Sequence, residues 1–474
     1  MLIAFVILFL GINIVIGYIA SKRVANAGDF VQAGRKLPMF MNATALFALW
    51  FGSETVFGAS GAFLEDGLLG VIEDPFGGVL ALVLFGLFYV RKLYRLNILT
   101  LNDLLRDKFG KTTELISGFF MIISFFGYIA AQFIALAIIL EFITDGAIPF
   151  TEGVILCSVL VTFYTFIGGM WAVSFTDFFQ SILIVVGLTV ASIYLTIYAG
   201  GTDVVFSATE KDTFDFFPDG EKHKWTEWGS AWLVLGLGSL CSQDIFQRAN
   251  SARSEKAAVR STFLGAFFYL VFAMLPLYIA LCAKAILPAG SITDTQVALP
   301  QLIMNHTPLI IQILFFGSLL SAILSTCSGA LLAPASILSE NIIKPLSNTT
   351  WTDKKFLYIL RLSVVIMALI STIFAFSGDS IYNLVGESSI LGIVTLLVPI
   401  TCALYWKRAS KVGAILSMFF GFTSWWLFTY GYTIGFIYPY EDIPTFLPAL
   451  LLSIFGMLAG SLLFKHKHNT SWKA

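Results

Sequence analysis

Residues 51–61 of this 474-residue chain read FGSETVFGASG and lie within an apolar stretch that covers residues 38–64. Three glycines, three hydroxyl side chains and one carboxylate in eleven residues weaken helix formation. Irregular backbone at the depth of a membrane is tolerated only where it is buried in protein or lines a water-filled cavity. The segment therefore predicts a transmembrane helix that is broken beside a binding site.

A second apolar stretch, residues 228–247, is interrupted in a similar way by Gly236, Gly238, Ser239 and Ser242. The two stretches are the second and seventh along the chain, and an offset of five crossings gives them opposite orientations in the membrane. Corresponding broken helices in two halves are typical of transporters built from inverted repeats with a site near the midplane. Glycines also permit close helix packing, but their occurrence in both stretches favours a site.

The composition is that of a membrane protein. Only 12% of the residues are charged and 58% are hydrophobic, whereas soluble domains carry about 25% charged residues. A transmembrane helix needs roughly 20 apolar residues. We expect one all-α integral membrane domain over residues 1–474, with about 13 transmembrane helices. These helices are predicted over residues 2–21, 38–64, 69–90, 114–142, 149–169, 173–198, 228–247, 259–286, 308–339, 357–377, 381–406, 412–433 and 444–464.

The distribution of basic residues predicts the orientation. With the N-terminus outside, 24 of the 28 lysines and arginines fall in inner segments and the other four fall in outer loops. Basic residues are retained on the cytoplasmic side of a membrane. The prediction is a multi-pass protein of the plasma (cell inner) membrane, embedded in its lipid bilayer, with the N-terminus outside and a short cytoplasmic tail over residues 465–474.

Several function classes are excluded by what the sequence lacks. A net charge of −1 provides no basic surface for nucleic acid. The G-x-x-x-x-G-K-[ST] motif that binds ATP phosphates and the H-E-x-x-H metalloprotease motif are both absent. No nucleophile–base pair is apparent. The sequence therefore predicts a transporter rather than an enzyme, with an ion gradient as its energy source.

The ninth apolar run carries a face of hydroxyl groups. Ser321, Ser325 and Ser328 follow helical spacing, and Thr326 lies beside them. Hard cations prefer oxygen ligands, and carbonyl groups freed by a broken helix would supply further ligands. The alternative is that these hydroxyls bond to the backbone of their own helix.

Carboxylates within apolar runs are costly and mark functional sites by default. Glu54 lies in the broken segment, and Glu387, in the eleventh run, is expected to face the cavity. Asp177 begins the sixth run, where helix capping is the alternative interpretation.

Other acidic residues have simpler interpretations. Asp244 precedes Arg248 by four residues, which predicts an ion pair on the surface of a helix. Glu73 and Asp74 precede a proline at a predicted helix start, where acidic side chains complement the helix dipole.

Two aromatic residues, Trp50 and Tyr128, fall near the predicted midplane. The face of an aromatic ring attracts an amine or a quaternary ammonium group. Packing is the alternative interpretation for each ring.

Two motifs together resemble those of the sodium:solute symporter family. They are YTFIGGMWAV over residues 164–173, continuing to Thr176, Asp177 and Gln180, and SAILST over residues 321–326. The resemblance extends over residues 5–465. It implies a LeuT-type core of two inverted five-helix repeats. The repeats would cover residues 38–198 and 228–406, with a peripheral helix over residues 2–21 and two C-terminal helices over residues 412–464.

The resemblance also implies a sodium site and a substrate site. The sodium ligands would be the carbonyl groups of Ala48, Phe51 and Ala322 and the hydroxyl groups of Ser325 and Thr326, with Asp177 beside them. The substrate site would include Trp50, Gly52, Ser53, Glu54, Thr55, Tyr128, Ser242 and Glu387.

Within the family, residues 48–52 and 243–248 are most similar to choline-transporter members. Trp50 and Tyr128 match two positions of their choline cage, while Ser242 and Val385 stand where two further tryptophans would be. Glu54 could instead pair with the amino group of an amino acid, as in a proline-type member, and sugar-type members also have a glutamate here.

The expected function is sodium-coupled import of a small organic solute by alternating access. The solute is an amine such as choline or betaine, or an amino acid such as proline, and Na+ is the coupling ion. A proton-coupled symporter that uses Asp177 or Glu54, and a membrane solute sensor, are the alternatives. The oligomeric state is not predicted.

Overall fold

The computed structural model describes residues 2–220, 222–288, 292, 294–347, 351–376, 380–431, 435 and 443–464. The predicted tail over residues 465–474 lies outside the described residues. In the described ranges the fold is helical, and extended pairing is confined to an isolated bridge between Leu37 and Ala252. In chain order, the principal helices are α1 (Leu2–Ser21), α2 (Met39–Trp50), α3 (Ala59–Asp66), α4 (Leu69–Leu96), α5 (Leu101–Phe109), α6 (Lys111–Ile143), α7 (Phe150–Ala199), α8 (Lys222–Gly238), α9 (Gln243–Asn250), α10 (Glu255–Ile286), α11 (Leu309–Leu346), α12 (Asp353–Phe374), α13 (Ile381–Tyr405), α14 (Lys411–Tyr430) and α15 (Phe446–Leu463).

Ten of these helices are long and apolar enough to cross a membrane: α1, α4, α6, α7 and α10–α15. The predicted crossing over residues 38–64 is the broken pair α2 and α3, and that over residues 228–247 is the broken pair α8 and α9. The ten long helices, the two broken pairs and a division of α7 together account for the thirteen predicted crossings.

The prediction of two helices over residues 149–169 and 173–198 is confirmed, because α7 is interrupted by non-helical backbone at Gly169. A straight helix of 50 residues would be about 75 Å long, more than twice the ~30 Å hydrocarbon core of a bilayer. Gly169 has the non-helical dihedral angles φ 50° and ψ −150°. A Cβ atom there would lie 2.5 Å from the carbonyl oxygen of Phe30. Glycine at this position therefore divides α7 into two crossings.

The outer surface and the interior of the bundle differ in the way that a membrane protein requires. Large apolar side chains such as Ile7, Ile197 and Leu463 are exposed on α1, α7 and α15, which fits contact with lipid. By contrast, every residue of α9 is buried, as is α2 from Asn42 to Trp50. The broken helices therefore form the interior of the molecule.

Both predicted helix breaks are present. α2 ends where Phe51 takes φ −85° and ψ 69°, and the amide of Gly52 then donates to the carbonyl oxygen of Trp50 at 3.0 Å. The amide of Ser53 donates to Oε1 of Gln132 on α6 at 3.0 Å. α8 is separated from α9 by extended backbone at Ser242, with φ −81° and ψ 133°. Breaking each helix frees backbone polar groups, and side chains of neighbouring helices satisfy some of them.

Candidate functional site

A cavity of about 60 Å³ lies beside both broken helices, with walls from α2, α6, α8, α9 and α13. Trp50, Glu54, Tyr128 and Ser242 all line it. These four residues were predicted to contact substrate, and they come from three separate parts of the sequence. The fold thus brings half of the predicted substrate-site residues to one cavity.

Three other predicted residues, Gly52, Ser53 and Thr55, are buried but do not line the cavity. A Cβ atom on Gly52 would lie 2.6 Å from Oε2 of Glu54 and 3.0 Å from Cγ2 of Thr326. The missing side chain of Gly52 therefore lets the Glu54 carboxylate and α11 approach the broken segment together.

The Glu54 carboxylate is held by neutral groups. Its Oε2 accepts hydrogen bonds from Nε2 of Gln132 at 3.0 Å and from Oγ of Ser53 at 3.3 Å. Glu54 is 3% exposed, and no salt bridge to it occurs among the described residues. A buried carboxylate in a membrane is costly unless it is paired. The Glu54 carboxyl group is therefore a candidate partner for a cationic group in the cavity.

The expectation that Glu387 faces the cavity is wrong in this structure. Val385, Ser388, Ser389 and Gly392 of α13 line the cavity, whereas Glu387 is exposed. The 3.6-residue period of the helix places Glu387 on a different face from these four residues.

Asp74 is a site residue that the sequence-based interpretation missed. Its backbone is non-helical within α4, with φ −138° and ψ 122°, and the helix resumes after it, as the predicted helix start requires. Its side chain is buried and accepts hydrogen bonds from Oγ1 of Thr55 at 2.9 Å and from the hydroxyl of Tyr269. The Thr55 hydroxyl also lies 3.0 Å from the carbonyl oxygen of Trp50, and the Tyr269 ring packs against the Trp50 indole with centroids 5.8 Å apart. Asp74 thus holds Thr55 and Tyr269, the two residues that contact Trp50 here. The signal was present, since Asp74 is a carboxylate within an apolar run, as Glu54 is.

A second cluster of oxygens surrounds Thr326 on α11. Its Oγ1 lies 3.1 Å from the carbonyl oxygen of Ala48, 3.0 Å from that of Leu49 and 3.2 Å from that of Ala322. A hydroxyl group has one proton, so it cannot satisfy three carbonyl oxygens. These distances bring together three of the predicted sodium ligands, Ala48, Ala322 and Thr326. A fourth, Phe51, directly follows the last residue of α2. Such a cluster of oxygens is suited to a hard cation.

Ser325 and Asp177 adjoin this cluster. Oγ of Ser325 donates to Oδ1 of Asp177 at 2.5 Å, and Oδ2 of Asp177 lies 3.4 Å from Nη2 of Arg248. Both Asp177 oxygens are thus engaged by protein groups, which makes Asp177 a neighbour of the predicted sodium ligands. The capping alternative for Asp177 fails because α7 continues through it in both directions.

The predicted surface pair of Asp244 and Arg248 is also wrong. Arg248 is fully buried and pairs with Asp177. Asp244 instead accepts hydrogen bonds from Oγ of Ser242 at 2.5 Å and from the amide of Ile245 at 2.8 Å. The backbone-bonding alternative holds for Ser328, whose Oγ donates to the carbonyl oxygen of Ser325 at 2.9 Å. It holds in part for Thr326, because the Ala322 carbonyl oxygen in its cluster lies four residues earlier on the same helix.

Comparison with known proteins identifies the family. The model of the sodium:solute symporter family matches residues 30–421. The chain belongs to the sodium:solute symporter family. Among its relatives, the high affinity choline transporter 1 of Homo sapiens is 25% identical over 438 residues, which cover 87% of this chain and 74% of the relative. The high-affinity proline transporter PutP of Bacillus subtilis (strain 168) is 27% identical over 478 residues, which cover 93% and 94% of the two chains.

Solved structures agree on the fold of this symporter. A Na+-coupled sialic acid symporter superposes with a TM-score of 0.83 at 19% identity, covering 98% of this chain and 97% of the other. Mhp1, a nucleobase-cation-symport-1 family transporter, superposes with a TM-score of 0.62 at 16% identity, covering 92% and 95%. The predicted LeuT-type fold is thereby confirmed. This symporter is a multi-pass membrane transporter, not an enzyme, and it couples import of a solute to sodium.

Proposed function

We propose that this symporter imports a small solute with an ammonium group, of the choline or betaine type or of the proline type. The observation that carries the proposal is the single cavity lined by the rings of Trp50 and Tyr128 and by the Glu54 carboxylate. Aromatic faces attract a desolvated ammonium group, and the Glu54 carboxyl group has only neutral hydrogen-bond donors around it in the described part of the chain. Both chemistries in one cavity favour a positively charged group over a neutral sugar.

A further feature of Trp50 favours a solute that also carries an oxygen acceptor. The indole Nε1 of Trp50 is buried and has no hydrogen-bond partner among the described residues. An unsatisfied buried donor costs about 1–3 kcal/mol. The carboxylate of proline or betaine, or the hydroxyl of choline, would satisfy it. The names of the relatives support the same two classes, since they include choline and proline transporters.

Sodium would bind at the carbonyl groups of Ala48, Phe51 and Ala322 and the hydroxyl groups of Ser325 and Thr326. The support is the contact of Thr326 with α2 at its broken end. Since α2 also carries Trp50, sodium bound there would order the substrate cavity. Coupling is reciprocal, so the substrate must tighten sodium binding by the same factor.

The proposed arrangement in the membrane follows the sequence-based prediction. The inverted repeats would be residues 38–198 and 228–406, with the N-terminus outside and the C-terminal end in the cytoplasm.

One charge crossing about 100 mV contributes roughly 2.3 kcal/mol, and a tenfold sodium gradient adds about 1.4 kcal/mol. One sodium could therefore concentrate a neutral solute several-hundredfold.

The test is uptake of radiolabelled proline, choline and betaine into proteoliposomes that contain the purified full chain. We expect one of the three to accumulate under an inward sodium gradient and not when potassium replaces sodium. Accumulation driven by a proton gradient without sodium would favour the proton-coupled alternative. Sodium-dependent binding without uptake would favour a sensor, and indifference to all three solutes would refute the ammonium assignment.

A further inference from the structure

A buried arginine lies directly behind the proposed sodium site. Arg248, near the end of α9, is fully buried. Its Nη2 lies 3.4 Å from Oδ2 of Asp177 and 3.3 Å from the carbonyl oxygen of Ser325. Ser325 is itself one of the proposed ligands, so the guanidinium charge is separated from the sodium position by a single residue.

The surrounding helix leaves room for this side chain. A Cβ atom on Gly329 of α11 would lie 2.2 Å from Nη1 of Arg248 and 2.4 Å from Nη2. The guanidinium group therefore sits against the backbone of the helix that carries Ser325 and Thr326. Nε and Nη1 of Arg248 have no hydrogen-bond partner among the described residues, so hydrogen bonding alone does not account for its position.

Asp177 connects the arginine to the serine. Because Oγ of Ser325 donates its proton to Asp177, the lone pairs of that hydroxyl are left for a cation. Without Arg248, the carboxylate would add a full negative charge beside the site. With Arg248 present, the Asp177–Arg248 pair is neutral overall.

We propose that Arg248 is a fixed positive charge that weakens sodium binding at Ser325 and Thr326, so that sodium can leave after it has crossed the membrane. The inference rests on the sodium site proposed above. Charges interact strongly in a poorly polarisable interior, and an ion site that serves transport must be weak enough to release its ion. A guanidinium group keeps its proton in proteins, so this charge persists although the side chain is buried. Asp177 and Arg248 are in this view positioning residues that act on sodium through Ser325.

The experiment measures sodium binding to the purified full chain without any transport. Thermal unfolding is followed as NaCl replaces KCl at constant ionic strength, because a ligand of the folded state raises the unfolding temperature. The sodium concentration for half of the stabilisation is then compared among the wild type, Arg248→Gln, Asp177→Asn and the double variant.

The proposal predicts opposite signs for the two single variants. Arg248→Gln lowers the half-saturating sodium concentration by about tenfold, the equivalent of ~1.4 kcal/mol. Asp177→Asn leaves the arginine unbalanced and raises it at least as much. The double variant, which is again neutral, returns to within about threefold of the wild type. If both single variants weaken sodium binding, the pair is only structural and the proposal is overturned.

Breaking a buried ion pair is strongly destabilising, so Arg248→Gln could fail to fold. Gly329→Ala then gives a second test, because its methyl group pushes the guanidinium away and keeps the charge in the protein. We expect a two- to fivefold lower half-saturating concentration, and an unchanged or higher value would overturn the proposal.

Thr326→Ala distinguishes a failure of the proposed sodium site from a failure of the proposed role of Arg248. If the wild type shows no sodium-dependent stabilisation, or if Thr326→Ala leaves it unchanged, the sodium site itself is wrong and the role of Arg248 falls with it. If Thr326→Ala weakens sodium binding but neither Arg248→Gln nor Gly329→Ala tightens it, only the role of Arg248 is refuted.

Discussion

At the scale of single residues, Glu54 should account for much of the substrate affinity. Among the described residues, its carboxyl group accepts hydrogen bonds from neutral donors only, so an ammonium group of the solute would be its first ionic partner. A hydrogen bond to a charged group is worth about 1.5–3 kcal/mol. We therefore expect Glu54→Gln to weaken binding of the transported solute by roughly 10- to 100-fold, measured by isothermal titration in saturating sodium.

Glu387→Gln is the matched control for that experiment. It makes the same chemical change on α13, but at an exposed position off the cavity wall. Its solute affinity should stay within about twofold of the wild type. Equal losses in the two variants would contradict the assignment of Glu54.

Removing the hydroxyl groups of α11 that are proposed to bind sodium should weaken the response of uptake to sodium. Ser325→Ala combined with Thr326→Ala should raise the sodium concentration for half-maximal uptake by at least tenfold, because two of five proposed oxygen ligands are removed. Ser328→Ala is the control, since its hydroxyl bonds to the backbone of its own helix. Unchanged sodium dependence in a well-expressed double variant would refute these ligands.

How far the site could be predicted depends on the kind of residue. Trp50, Glu54 and Tyr128 stand out in the sequence because polar and aromatic groups near the midplane of a membrane need a reason to be there. The partner of Arg248 could not be found in this way. Asp244 is four residues from it on the same helix, whereas Asp177 is 71 residues away and reaches it because α7 and α9 both pack against α11. The spacing rule for ion pairs on one helix cannot predict a contact between residues of two different helices.

At the scale of helices, both breaks were predictable because glycines and hydroxyl residues interrupt otherwise apolar runs. The turn that divides α7 was also predicted, by the gap between residues 169 and 173, but the dihedral angles of Gly169 that make it were not. Its requirement for glycine follows from geometry that only the folded chain shows, namely the approach of the Phe30 carbonyl group.

Gly169→Ala should therefore damage the turn within α7. The residue has φ 50°, which side chains other than glycine rarely adopt, and the new Cβ atom would meet the Phe30 carbonyl oxygen at 2.5 Å. Strained backbone of this kind costs about 1–3 kcal/mol, so the melting temperature of the purified protein should fall by several degrees. Gly11→Ala on α1 is the control, because no described atom outside the adjacent backbone of its own helix lies within 4 Å of the new methyl group. A fall of equal size in both variants would contradict the structural role of Gly169.

At the scale of the whole molecule, the Asp177–Arg248 pair is neutral, so it adds no net charge beside the proposed sodium site. The charge moved in a transport cycle is then that of the sodium ion and the solute. If one sodium enters with a zwitterion such as proline, each transport cycle moves one positive charge inward. An inside-negative potential should then increase uptake, by up to ~50-fold in the equilibrium accumulation for 100 mV. The measurement compares proline accumulation in proteoliposomes at equal sodium gradients, with and without a potassium diffusion potential set by valinomycin. Accumulation that does not respond to the potential would mean that no net charge crosses with the solute, and would rule out sodium symport of a zwitterion by this route.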